Sequence, residues 1–176
     1  MDTTGIEEMW DRHTEAEFAT ADVDATMATM TDEPSVLHVA TSVGARGRNQ
    51  VRDFYRDYFV GHQASDMTLE RLTRTVTSQC LVDEIIISLT HDAVIPWLLP
   101  GTEPTGRRIT IPIVTVIGIK EGLVHTEHIY WDQASVLVQA GLLDPAGLPV
   151  TGADQSEALG HDAPPAALNR LLDARG

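Results

Sequence analysis

Arg108-Ile-Thr-Ile-Pro-Ile-Val-Thr-Val-Ile-Gly-Ile-Lys120 is β-branched almost from end to end, and Glu121-Gly122 separates it from Leu123-Val-His-Thr-Glu-His-Ile-Tyr-Trp131. Valine, isoleucine and threonine are stiff at χ1 and pack well on a pleated surface. Two such runs joined by a short glycine-containing turn predict an antiparallel hairpin, with strands at 108–120 and 123–131. Pro112 has no N–H to give to a ladder, so it requires a local edge or a bulge.

The same texture extends upstream. Residues 81–90, with Glu84-Ile-Ile-Ile-Ser-Leu89, and residues 68–78 read as two more strands. Between 90 and 108 the segment 96–106 reads as a loop with an apolar patch at Trp97, Leu98 and Leu99. Before residue 60 the period changes. Ile6, Met9, Trp10, His13, Ala16 and Glu17 recur at spacings of three and four, which places them on one face of a helix over 6–20. Thr3 or Thr4 is the expected cap. A second helix fits 22–30, capped by Asp22 and stopped by Asp32-Glu33-Pro34. A short strand at 35–40, a turn at 43–47 and a third helix at 49–59 complete this half. Downstream, 135–141 fits either a last strand or a short helix. The Gly-, Pro- and Ala-rich stretch 145–176 reads as a tail that wraps the body, swaps onto a neighbour or stays mobile, with a helix at 165–174. Helices first and strands after is the α+β pattern. The expected architecture is a curved antiparallel sheet with three N-terminal helices enclosing a pocket, in a domain of residues 1–144.

Composition narrows the function classes. Twenty-six acids against 12 bases give a formal net charge of −14 over 176 residues. No basic patch stands ready for phosphates, which argues against nucleic acid and anionic membranes as partners. Cys80 is the single cysteine, so no intramolecular disulfide forms, and a buried, inert thiol in a reducing compartment is expected. The first residues lack a signal-peptide pattern and no apolar run reaches membrane-spanning length, so a cytoplasmic location is expected. Neither a Gly-rich phosphate cradle nor a Gly-x-Ser-x-Gly elbow is present, which disfavours nucleotide cofactors and serine hydrolysis. His125 and His128 point to opposite sides of a strand, and His91-Asp92 and His161-Asp162 are pairs without a third ligand. Neither a metal nor a cofactor is therefore expected.

Four stretches carry a resemblance. Ala21-Asp-Val-Asp24 is followed by Asp32-Glu-Pro-Ser-Val-Leu-His38 and then by Gly47-Arg-Asn-Gln-Val-Arg-Asp-Phe-Tyr55; the last is Asp132-Gln-Ala-Ser-Val-Leu-Val-Gln-Ala-Gly141. In this order, over residues 5–142, they resemble the NTF2-like superfamily, which includes ketosteroid isomerases, limonene-type epoxide hydrolases and SnoaL-like polyketide cyclases. The resemblance implies a cone-shaped α+β fold with a pocket, and often a homodimer through the outer sheet face. It places His38 where the isomerases have their general-base Asp, Tyr55 at a pocket tyrosine, and Thr14 near another. The isomerases' oxyanion-stabilising acid falls near Val114 or Thr115. The catalytic Asp of SnoaL-like cyclases and of the epoxide hydrolases falls on Ile129, and the cyclases' histidine partner falls near Thr115. None of the three catalytic sets is intact.

His38 is the first candidate for proton transfer, because an imidazole can take a proton and return it near neutral pH. If position 129 faces the cavity, strand parity turns Glu127 and Trp131 inward and His128, Tyr130 and Asp132 outward. Glu127 can then orient His38 or act as an acid. His13, on the apolar face of the first helix, is the third candidate. Trp10, Thr14, Tyr55, Trp97, Thr115, Ile129 and Trp131 are the expected binding wall. Asp132 suits a helix cap. Three readings stand open: a cofactor-independent acid–base isomerase, cyclase or dehydratase (a lyase) for a small apolar carbonyl compound; an epoxide or lactone hydrolase using an activated water; and a non-catalytic binding or dimerisation domain.

Overall fold

Asp2 starts the first helix: its carboxylate accepts from Gly5 N at 2.9 Å, the N-cap bond, so the cap lies one residue before the expected threonines. The computed structural model describes residues 2–160, 163–164 and 168–173. Helix α1 (Thr3–Thr14) widens into a π-helical turn at Glu15–Ala19, and α2 (Val23–Ala28) follows, capped by Asp22. Strands β1 (Met30–His38) and β2 (Val43–Arg46) form a hairpin. Helix α3 (Arg48–Phe54) also widens at its end, at Tyr55–Phe59. Then come β3 (Thr68–Val76), β4 (Cys80–Thr90), β5 (Arg108–Lys120) and β6 (Leu123–Tyr130). Helix α4 (Gln133–Gln139) takes the second of the two forms expected after Asp132. Helices α5 (Asp154–Leu159) and α6 (Arg170–Asp173) lie in the tail. The expected helix at 165–174 lies partly outside the described residues.

The six strands form one curved sheet in the order β2-β1-β6-β5-β4-β3. The helix-then-strand α+β order holds, but the sheet is mixed rather than wholly antiparallel: β1 runs parallel to β6, with Val36 opposite Glu127 and His38 opposite Ile129. Two further differences share one cause. Residues Asp32-Glu33-Pro34 lie inside β1 instead of stopping α2, and 43–46 is a strand rather than a turn. The β1–β6 register breaks between Met30 and Ser35, and this irregularity accommodates Pro34, whose carbonyl accepts from Gly47 N at 2.8 Å.

On β5, Ile109, Ile111, Ile113, Thr115, Ile117 and Ile119 alternate inward and are buried. Each buried isoleucine contributes roughly 1.5–3 kcal/mol relative to exposure. Pro112 is explained by the neighbour on its other side. The β5–β6 ladder ends at Val114 opposite Tyr130, so Thr110 and Pro112 form a local edge. The Gln139 side chain completes it: its Oε1 accepts from Thr110 N at 2.8 Å and its Nε2 donates to Thr110 O at 3.1 Å. Asp132 caps α4 and also accepts from Gln155 Nε2 at 2.6 Å, which ties the tail to the body; α5 packs against β5. Cys80 is half-buried and free. No described helix is long and apolar enough to cross a membrane.

Candidate active site

The two π-helical turns feed one place. An extra residue per turn changes which side chains face inward, and Glu17 and Tyr55 sit on these turns, both buried. They meet His13 of α1 and Glu127 of β6, also buried. His13 stacks on Trp10 with ring centroids 4.9 Å apart. Trp10 is itself fixed by donating to Asp83 at 3.0 Å, and Asp83 takes both arms of Arg74 at 2.7 Å.

Thr29 sets the His13 tautomer. Its hydroxyl donates to the Thr26 carbonyl at 2.7 Å, so at 2.6 Å from His13 Nδ1 it can only accept, and Nδ1 carries a proton. Nε2 then faces three oxygens: Glu17 Oε1 at 3.1 Å, Tyr55 OH at 3.5 Å and Glu127 Oε2 at 3.7 Å. Tyr55 donates to Glu127 Oε2 at 2.8 Å. Burial alone would lower the His13 pKa, but the two carboxylates carry it up to about 10. Burial would raise Glu127, yet the hydrogen bonds and charge of His13, then Tyr55, hold it below its usual range. Glu17 goes the other way, because burial outweighs the pull of His13. Tyr55 is pushed up by burial and by both carboxylates, so it stays a donor.

His38, on β1, is enclosed by rings: Phe59 and Trp97 at 5.3 Å, Phe54 at 5.7 Å and Trp131 at 5.9 Å between centroids. Burial lowers its pKa to about 4, opposed in part by the Glu127 charge and the Val43 backbone. It is therefore neutral at neutral pH, and its Nδ1 has no hydrogen-bond partner.

Glu17, His38 and Glu127 border a cavity of about 50 Å³ whose wall is otherwise mostly apolar. A single water needs roughly 15 Å³ on such a measure, so the space admits a small group rather than a large ring system in this conformation. Among the described residues six buried side-chain atoms lack a partner, and three of them, Glu17 Oε1, His38 Nδ1 and Thr115 Oγ1, belong to residues lining this cavity. Buried polar atoms are rarely left unpaired without a reason.

Of the residues expected from sequence, His38, Glu127, Trp10, Thr14, Trp97, Thr115 and Ile129 line the cavity. Strand parity at 127 and 129 holds. His13 stands behind Glu17 and Glu127, and Tyr55 behind Glu127; neither lines the cavity itself. Trp131 stands behind His38, beyond the end of β6, where alternation no longer applies; its Nε1 donates to Gln133 at 2.6 Å. Glu17, Phe18 and Phe59 line the cavity without having been assigned to it. For Glu17 the signal was present, a carboxylate on an otherwise apolar helix face. Ligand atoms of His13, Glu17 and Glu127 lie within 4.8 Å of one another, a donor set that a divalent ion could take in place of protons.

A family model described as a SnoaL-like domain matches residues 10–126. This chain belongs to the SnoaL-like family. The SnoaL-like match takes in His13, Glu17, His38 and Tyr55, and Glu127 is the residue that follows it. No curated protein matches at a significant level. Solved structures share the SnoaL-like fold. A protein from Jannaschia sp. CCS1 assigned as a SnoaL-like polyketide cyclase is 18% identical, covering 81% of this chain and 95% of its own, with a TM-score of 0.65. TsrD from Streptomyces laurentii is 19% identical over 81% of this chain and 99% of its own, with a TM-score of 0.62. A protein of ketosteroid isomerase-like fold from Catenulispora acidiphila, solved with trimethylamine, is 15% identical over 77% and 94%, with a TM-score of 0.56. At these identities the likeness shows the fold alone.

Proposed function

We propose that this SnoaL-like chain is a cofactor-independent acid–base enzyme of isomerase, cyclase or dehydratase type, acting on a small, largely apolar carbonyl compound. The observation that carries the reading is the convergence of three side chains that each keep a buried polar atom outside any well-formed hydrogen bond, Glu17 Oε1, His38 Nδ1 and Thr115 Oγ1, on a cavity that the ionised Glu127 also borders. Glu127 is the base: His13 and Tyr55 keep it ionised beside an apolar wall, so it stands ready as the proton acceptor at neutral pH, and its position against the bound carbon acid, rather than a raised basicity, supplies the rate. Burial keeps His38 neutral, so beside the ionised Glu127 its role shifts from the one expected in the sequence to that of a neutral donor, which in its Nδ1–H tautomer bonds the carbonyl oxygen as charge develops there. A homodimer in the cytoplasm belongs to the same proposal, and sedimentation velocity tests the dimer.

The test is a panel of small neutral compounds, led by the conversion of 3-cyclohexenone to its conjugated isomer, followed by ultraviolet absorbance. An epoxide and a lactone probe the activated-water alternative. Turnover by the wild type that drops about 10²–10⁴-fold in Glu127→Gln supports the proposal. Ligands that bind equally to both proteins without conversion would show a binding domain instead.

A further inference from the structure

We infer that Glu17 and Glu127 are the two ends of a proton relay through His13 Nε2, both of them opening on the cavity. The inference rests on the acid–base reading above and deepens it to one reaction class: a proton shift between two positions of an uncharged substrate.

The geometry gives the relay its shape. His13 does not line the cavity, whereas both carboxyls within reach of its Nε2 do. With Nδ1 held by Thr29, Nε2 is the one ring atom that can exchange a proton with either of them. Charge counting fixes the resting state. Among the described residues no lysine or arginine lines the cavity, and the cation they offer to the two buried carboxyls is the His13 imidazolium. One carboxyl must therefore hold a proton, because an unpaired buried charge is costly. Glu127 receives the Tyr55 hydroxyl, while Glu17 Oε1 has no hydrogen-bond donor in good geometry. Glu17 is thus the neutral acid and Glu127 the anion. The opposite directions in which burial and partners move the two groups agree with this.

The steps balance. Glu127 takes a proton from a substrate carbon, and Glu17 gives its own to a second position of the same molecule. The Nε2 proton then passes to Glu17 Oε1, 3.1 Å away, and Glu127, whose Oε2 lies 3.7 Å from Nε2, closes on the freed nitrogen and returns its new proton there. No proton is gained or lost, the cluster and substrate together stay neutral at every step, and the site resets without solvent. Thr29 is a positioning residue in this scheme: it acts only by holding Nδ1.

The experiment is NMR of the full chain labelled with ¹⁵N-histidine and ¹³C-glutamate between pH 5 and 9. The expected result is a His13 ring protonated on both nitrogens throughout, with the Glu17 side-chain carbon at a protonated-acid shift. Thr29→Val should release the Nδ1 proton to exchange, and Thr29→Ser should restore it, which a purely structural defect would not do. On the isomerisation probe, Glu17→Gln keeps a donor of the same shape but cannot release a proton, so kcat should fall about 100-fold with KM near wild type. A Glu17 signal in the carboxylate position, a His13 ring titrating near its ordinary value, or a stoichiometric divalent ion in the purified protein would each overturn the relay. These signals need no substrate. Their failure with turnover intact removes the relay alone, while absence of turnover across the panel removes the reading beneath it.

Discussion

His38→Phe replaces a neutral imidazole by a ring of similar size inside an aromatic enclosure, and the consequence is calculable. The His38 pKa is about 4 when folded, against about 6.5 in an unfolded chain. Because the folded value is the lower one, the unfolded state binds more protons between the two, and stability falls as pH falls through that window. Integrated from pH 7 to pH 4, this single group costs the wild type about 3 kcal/mol, with about 2 kcal/mol already lost at pH 5. Phenylalanine has no proton to bind. Urea denaturation of both proteins at pH 7, 5 and 4 isolates the term, because the other groups titrate in both. The stability of His38→Phe relative to wild type should rise by about 3 kcal/mol across the range. A difference that stays constant with pH would refute the burial argument, and with it the claim that His38 is neutral in the site.

Two further outcomes follow from the sheet. Gln139→Leu should cost about 1–3 kcal/mol in denaturant titration, since it removes both bonds to Thr110 and leaves a backbone N–H and C=O unpaired; an unchanged midpoint would show that water substitutes. Gly118→Ala should cost about 1–3 kcal/mol, because its Cβ would lie 2.3 Å from Thr126 Oγ1. Adding Thr126→Ala should recover most of that loss.

What could be read in the sequence was whatever repeats along a strand or a helix. The β5–β6 hairpin and the helix face carrying Trp10, His13 and Glu17 follow from spacing, while the inward pair Glu127 and Ile129 needed the family resemblance to say which side of the strand faces the cavity. What could not be read depends on chain segments far apart in sequence. The parallel β1–β6 pair brings residue 38 beside residue 129, and no local pattern announces it. Depth was equally hidden: Tyr55 and Glu17 sit on π-helical turns, which change the facing of their helices and leave no mark in the spacing. Pro34 looked like a helix stop because a bulge that tolerates proline leaves no mark in the local pattern. Glu17 was visible as a carboxylate on an apolar face, but its importance lies in its distance to His13 Nε2, which is a tertiary quantity.

The end of β5 carries one more consequence. Where β6 stops, residues 108–112 would present an open row of backbone donors and acceptors, the kind of template on which a strand from another molecule can add. Pro112 removes one donor from that row, and the Gln139 amide occupies the donor and acceptor of Thr110. The Gln-to-Thr contact is thus a guard against aggregation as well as a stabilising bond. Its loss would be felt most in concentrated solution, where molecules meet edge to edge.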